Sequence, residues 1–278
     1  MLSAKIRDMD TTDEYFVSTC THVGESDEID NCARRRIAWF HDMHGKGVRV
    51  KVATLKGNRA GFLYAMPIEL CPWGPVGRDL LVIPCLVVPQ KFMGKGVGRA
   101  LIHAAEEETR RQGRKGLVTI AYYHDFWFMP APFFEQCGFS QVAKSRSITC
   151  EGEKEYLDKE TLLWKILDSS AETPRFLKRN YRFRPVPGKV VIDLFWNTFC
   201  QTSNIEAERV RQVADEFKDS VVLHEYCADD RSVLLRHQIP RGIFINGKEI
   251  GWGYEAPKQG IREAISEALG RGRTDAAR

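Results

Sequence analysis

Hydrophobic and polar positions change period several times along this chain, and each change marks an element. Residues 4–7 alternate like a short strand, and residues 11–43 carry apolar positions at helical spacing. Alternation returns over 48–55 and 60–66 on either side of Gly57-Asn58, which predicts a hairpin. An uncharged run predicts a buried strand over 80–88, followed by a helix over 98–112, a strand over 116–122, a short helix near 132–137 and two strands through Ser145 and Leu162. Farther on, 190–195 is β-branched, 204–217 is helical in period and 220–226 is strand-like. A strand at 243–245 then enters an Asn246-Gly247 turn, and a helix over 256–269 closes the pattern. Between the two series, 169–188 is polar, then basic, then doubly prolined, with no sustained period, and is expected to be a linker. The expectation is an α/β domain over 1–168, a second and smaller α/β domain over 189–270, and a frayed tail over 271–278.

Composition narrows the function classes. With 278 residues, 43% hydrophobic and 28% charged, the chain has globular composition and enough length for two cores. Its longest uncharged stretch, 80–90, is about half of the roughly 20 residues a membrane-spanning helix needs. The acidic N-terminus lacks the apolar stretch of a secretion signal, so a cytoplasmic protein with no membrane partner is expected. A net charge of +4 is too mild to make nucleic acid an expected partner of the whole surface. The linker cations Arg175, Lys178, Arg179, Arg182 and Arg184 alternate with Phe176, Tyr181 and Phe183, a pattern that serves either RNA contact or sealing of two domains. Eight cysteines without one CxxC pair argue against a zinc ribbon or a disulfide framework, and no metal is expected.

The densest chemical signal is LVVPQKFMGKGVGRALIHAA, where an apolar strand, three alternating glycines and an amphipathic helix follow one another. Gly94, Gly96 and Gly98 let the backbone approach an anion, and the helix aims its first N–H groups and positive dipole end at it. Neither GxGxxG nor GxxxxGK[ST] is present. The stretch Met93-Gly94-Lys95-Gly96-Val97-Gly98 resembles the phosphate loop of the GNAT family of acetyl-CoA-dependent N-acetyltransferases. Residues 132–139, PFFEQCGF, resemble that family's late helix segment. The resemblance spans about 4–167 and implies an α+β fold with a mixed sheet, and acetyl-CoA as co-substrate. It also implies pantetheine held by the backbone of Leu86, Val87 and Val88, pyrophosphate capped by the amides of residues 94–99 through Arg99, and Phe133 beside the cofactor. Two departures stand out: Met93 replaces the usual Arg or Gln, with Lys95 and Arg99 nearby as cations, and Phe134 replaces a Tyr that protonates the departing thiolate in many members.

Direct attack of an amine on the thioester needs a proton acceptor. The sequence offers Glu69, past the hairpin, and the cluster Tyr122, Tyr123, His124 and Asp125 at a strand end. The run 126–130, FWFMP, either walls an apolar acceptor pocket or packs on the core or on a second copy of the chain in a homodimer. The expected acceptor is an amine of a small molecule or peptide.

In the second domain, Trp196-Asn197-Thr198-Phe199-Cys200-Gln201-Thr202-Ser203 puts a cysteine where a strand passes into a helix, a place that favours the thiolate. It resembles the W-x-x-x-C-x-x-C site of the thioredoxin fold with Ser203 in the second thiol's place. Residues 238–248, QIPRGIFINGK, resemble that fold's cis-proline segment. The resemblance covers about 189–269, and the two-part order resembles the YoaP-type acetyltransferase arrangement. Cys200 joins the catalytic candidates on this ground, with Cys227 expected at the same sheet edge as a resolving thiol. The alternative function is therefore a thiol-disulfide or thiol-ligand-binding protein whose first half is regulatory or inactive.

Overall fold

The computed structural model describes residues 4–123, 128–144, 160–252 and 255–275. The chain divides into two compact units between Leu177 and Lys178.

The first unit runs β1 (Lys5–Asp8), α1 (Glu14–Ser18), α2 (Asp27–His44), β2 (Arg49–Leu55), β3 (Asn58–Pro67), β4 (Leu81–Val82) and β5 (Leu86–Val87). A 3-10 turn (Gln90–Phe92) then leads to α3 (Val97–Arg111), β6 (Gly116–Tyr122), α4 (Ala131–Gln136), β7 (Ser140–Lys144) and β8 (Glu160–Ile166). Its sheet has the order β1-β2-β3-β4-β6-β8-β7, with β5 attached to β3. Every pairing is antiparallel except β4 with β6, so the sheet is mixed and the fold α+β. Alternation along β3 serves both faces. Leu63 and Ala65 join Leu101, Ile102 and Ala105 of α3 in one core, whereas Phe62 and Tyr64 meet Phe16 and Phe40 from the α1–α2 side. Ser26 starts α2 by accepting the N–H of Ile29 at 3.2 Å.

Three expectations need correction here. The hairpin turn is Lys56-Gly57, both at positive φ, one residue before the expected Gly57-Asn58; this is the two-residue turn whose twist suits the flanking strands. The strand expected over 80–88 is broken into β4 and β5, because Pro84 has no N–H to give a ladder; both halves pair with β3, but only β4 also pairs with β6. The linker expected over 169–188 is built into the two units. Arg175 bridges Val76 and Leu177 lies against Gly74 in the first unit. In the second, the Lys178 N–H bonds Gln238 Oε1 at 2.8 Å and the Tyr181 hydroxyl donates to Asp193 Oδ2 at 2.7 Å. The strand expected through Ser145 begins as β7, and Ser145 itself lies outside the described residues.

The second unit runs β9 (Val190–Trp196), α5 (Gln201–Phe217), β10 (Val221–Cys227), α6 (Arg231–His237), β11 (Gly242–Ile245), β12 (Lys248–Ile250) and α7 (Lys258–Asp275). Its sheet has the order β10-β9-β11-β12, with β9 and β10 parallel and the other pairs antiparallel. Val190, Ile192 and Leu194 pack with Ala207 and Val210 of α5 and with Ile261 and Ile265 of α7, while Phe195, Ile239 and Phe244 form a smaller core on the other face. Asn246 and Gly247, both at positive φ, make the β11–β12 turn. The helix α7 continues to Asp275, so residues 271–275 are helical where a frayed tail was expected.

Candidate functional site

The parallel pair β4–β6 is two residues long, with Leu81 opposite Leu117 and Val82 opposite Val118. One more bond follows, from the Ile83 N–H to the Val118 carbonyl at 2.8 Å, and then the strands part. Past that point β5 pairs only with β3, through Phe62–Val87 and Leu63–Leu86. On the other arm, the Tyr122 N–H bonds the carbonyl of Met129 at 3.0 Å, and Tyr122 bridges Pro130. A V thus opens toward the carboxyl ends of β5 and β6. Within it, the buried thioether of Met129 accepts the N–H of Leu86 at 3.2 Å.

The V leads into the glycine turn. Gly94 (φ 71°) and Gly96 (φ 79°) are left-handed, a conformation that excludes most side chains, and no heavy atom lies within 4 Å of where a Cβ would stand on either. Gly98 is required for a different reason: a Cβ there would come 2.9 Å from the Phe133 ring, which closes α4 onto the start of α3. Gly96 is the N-cap of α3 and supplies no capping side chain, so first-turn amides face outward without an intrahelical acceptor. No acid occupies that turn. Lys91 and Lys95 sit 5.1 and 5.7 Å from the centre of the Phe92 ring, and the Lys95 ammonium is drawn to the carbonyl of Lys91 at 2.6 Å. Met93 and Arg99 are exposed and Val97 is buried in the core. Leu86, Val87 and Val88 therefore lie along one arm of the V, and Met93, Gly94, Lys95, Gly96, Val97, Gly98, Arg99 and Phe133 lie at the turn it leads to. Cations, bare amides and a close backbone approach make this turn fit for a phosphorylated ligand.

The expected proton acceptors are scattered. Glu69 binds the N–H of Asp79 at 2.9 Å and Arg114 at 2.8 Å, so it sits beside the residues that precede β4 and β6, at the end of the pair opposite the V. Both its oxygens are engaged there, which removes it from the opening. Tyr122 is half-buried against Phe128, with its hydroxyl 3.5 Å from Glu160. Tyr123 donates to Glu135 of α4, and that bond, with some burial, pushes its phenol up to about 12, so at neutral pH Tyr123 is a proton donor. His124 lies outside the described residues, as do Asp125, Phe126 and Trp127. Phe134 is fully buried between Phe133 and Phe139.

Cys200 belongs to the second unit, where it is the N-cap of α5 and gives its N–H to Asn197 Oδ1 at 2.8 Å. Asn197 also donates to the carbonyl of Pro240 at 2.9 Å. The Ile239–Pro240 peptide is trans; among the described residues the one cis bond is Gly74–Pro75. Cys227 pairs with Trp196 in register, which puts it at the same sheet edge as Cys200, but burial and then the charge of Asp229 push its thiol up to about 12. That leaves roughly one thiolate in 10⁵ at pH 7, too few for the resolving role expected of it. Iodoacetamide at pH 7 is expected to leave Cys227 unlabelled in the folded chain and to label it after denaturation, as read by peptide mass mapping.

Sequence reasoning missed Thr119, whose hydroxyl bonds the Ile83 carbonyl at 2.7 Å, and it named Met129 only within the run 126–130, not as the partner of the Leu86 N–H. The one signal available was Pro84 inside an apolar run, a residue that cannot continue a ladder. Among the described residues, no three His, Cys, Asp or Glu side chains are grouped to hold a metal ion, and no helix is long and apolar enough to cross a membrane.

No protein-family model matches this sequence, and no curated protein matches it either. Among solved structures, yncA from Salmonella typhimurium, described as an acetyltransferase with its cofactor acetyl-CoA, is 21% identical and covers 61% of this chain and 97% of its own, with a TM-score of 0.45. Ribosomal-protein-alanine N-acetyltransferase from Brucella melitensis is 18% identical, with 59% and 99% covered and a TM-score of 0.44. The GNAT family N-acetyltransferase YhbS from Escherichia coli in complex with CoA is 20% identical, with 58% and 81% covered and a TM-score of 0.38.

Proposed function

We propose that this protein is an acetyl-CoA-dependent N-acetyltransferase of the GNAT type, with acetyl passing directly to an amine of a small molecule or peptide. The observation that carries the reading is the parallel pair that parts at Ile83 and leads into a turn with left-handed glycines at the start of α3. A parted strand pair offers unpaired backbone groups to the amides of pantetheine, and the turn offers helix amides and cations to the pyrophosphate. The neutral amine attacks the thioester carbonyl, the C–N bond forms, the C–S bond breaks, and the CoA sulfur leaves with the electron pair. With a thiol pKa near 8.5 the leaving thiolate needs little help, which is compatible with the absence of a hydroxyl at Phe134. Tyr122 and His124 remain the acceptor candidates at the end of β6, and Tyr123 is better suited to donating a proton to the departing sulfur than to removing one.

Acetyl transfer is assigned to the first unit, and the second is read as a thioredoxin-like module in the YoaP-type order. Its β-α-β-α-β-β-α sequence and its parallel β9–β10 pair support that reading. The trans Ile239–Pro240 bond and the weakly acidic Cys227 speak against disulfide chemistry there. Titration calorimetry of the full chain with acetyl-CoA tests the proposal. A dissociation constant in the micromolar range is expected, and no heat of binding at millimolar acetyl-CoA would end it. A panel of amines, followed by release of free CoA thiol, would then identify the acceptor class.

A further inference from the structure

We propose that Thr119 fixes where the acetyl-CoA opening begins, by binding with its side chain the carbonyl that the parting strands would otherwise strand. The idea rests on the functional reading above only for the identity of the ligand.

In a parallel ladder, alternate residues of one strand direct both their N–H and C=O at the neighbour. Val118 does so toward β4, since its carbonyl accepts the Ile83 N–H. Ile120 is the next residue of β6 with that orientation. A regular ladder would therefore place the Ile120 N–H on the Ile83 carbonyl and close one more rung. The register instead stops at Val82–Val118, and the Ile83 carbonyl is taken by Thr119 Oγ1 at 2.7 Å.

Thr119 and Ile83 are both fully buried, so water cannot serve either group. A buried carbonyl left bare is costly, and a single hydroxyl proton can satisfy only one acceptor well. The 2.7 Å contact to Ile83 is that bond; the Thr119 hydroxyl lies farther, at 3.3 Å, from the carbonyl of Ile120. Pro84 follows at once and has no N–H requiring a partner. Side chain and proline together let β4 leave β6 one rung early with the Ile83 carbonyl still bonded and no N–H to place at residue 84, while the rung that the Ile120 N–H would make to Ile83 is not formed. Thr119 does not itself line the turn that takes phosphate. It is a positioning residue, and the depth of the opening is what it controls.

Thr119→Val keeps the shape and removes the hydroxyl. The Ile83 carbonyl then loses its donor, and the Ile120 N–H, its partner in a regular ladder, is expected to take that place, which adds a rung and makes the opening shallower. Thr119→Ser keeps the hydroxyl. Acetyl-CoA titration is expected to show binding weakened about tenfold or more in Thr119→Val and within about threefold of wild type in Thr119→Ser. Amide hydrogen exchange by NMR reads the rung directly: the Ile120 N–H is expected to exchange readily in the wild-type chain and to gain protection in Thr119→Val. A merely structural hydroxyl would lower the melting temperature and leave the Ile120 amide unchanged. Thr119→Val binding acetyl-CoA like wild type, or a wild-type Ile120 amide already protected, overturns the proposal. The second outcome needs neither a folded variant nor any cofactor binding, so it separates this inference from the acetyl-CoA reading.

Discussion

Gly96→Asp is expected to bind acetyl-CoA roughly thirty-fold more weakly than Gly96→Asn, although the two substitutions are nearly the same size. Gly96 holds φ at 79°, so any side chain there is strained; Asn and Asp tolerate the left-handed region best and carry the strain about equally. A Cβ at this position meets nothing within 4 Å, which leaves room for either residue in the folded protein. The difference between them is one negative charge at the N-terminus of α3, where the pyrophosphate is proposed to sit. Two unit charges 4 Å apart repel by about 4 kcal/mol at an effective dielectric of 20. Counterions near an exposed turn remove about half of that, and the remaining 2 kcal/mol corresponds to roughly thirty-fold in Kd. Raising the salt from 0.05 to 0.5 M should narrow the gap between the two variants. Equal affinities for Asp and Asn would mean that the anion lies elsewhere, and the glycine turn would lose its assignment.

What could be read from the sequence follows a physical division. Gly94, Gly96 and Gly98 were legible because backbone conformation and close approach dictate residue type locally, and the structure requires the first two for φ and the third for the Phe133 contact. The alternation of β3 and the Asn246-Gly247 turn were legible for the same reason. The strand over 80–88 was read as continuous because periodicity reports burial and is silent about partners. Its halves are both apolar runs, yet β4 joins β6 and β5 does not. Glu69 could not be judged, because spacing along a chain does not tell which end of a parallel pair a loop closes; its bonds to Asp79 and Arg114 decide that. The stretch 169–188 misled for a related reason. Charge and proline argued for a linker whose aromatics seal two domains or meet RNA, whereas Leu177 seats against Gly74 of the first unit and Tyr181 against Asp193 and Phe244 of the second, contacts that only tertiary structure creates. Cys227 shows the limit of position alone: it stands at the predicted sheet edge, but its acidity is set by burial and by Asp229.

Glu108→Leu is expected to destabilise the first unit by about 3 to 5 kcal/mol, and adding Lys51→Met is expected to restore most of the loss. Glu108 is buried on α3 and accepts from Lys51 of β2 at 2.9 Å, from Arg111 at 2.6 to 3.0 Å and from Gln112 at 2.6 Å. Removing one partner of a buried pair leaves the other charge with less compensation, at a cost of up to about 3 to 5 kcal/mol, whereas replacing both by apolar groups is often neutral. Lys51, itself buried, would keep only its bond to Asp8 at 2.6 Å in the single variant, while the largely exposed Arg111 can turn to water. Burial alone would raise the Glu108 carboxyl, but the bonds from Arg111, Lys51 and Gln112 outweigh it and hold it at about 2. Because the folded value lies below the unfolded one of 4.5, the group contributes fully above pH 4.5, and its contribution, about 3 kcal/mol, is lost as the pH falls toward 2. Glu108→Gln should therefore flatten the acid limb of the stability curve over that interval. Urea unfolding measures both effects, and the transition to follow is the one that acetyl-CoA shifts to higher denaturant. The same network ties α3 to β2, and α3 carries the glycine turn at its other end, so Glu108→Leu should also weaken acetyl-CoA binding, with recovery in the double variant. If Glu108→Leu and the double variant are equally unstable, the buried charge on Lys51 is not the cause, and the loss must be assigned to packing around the helix.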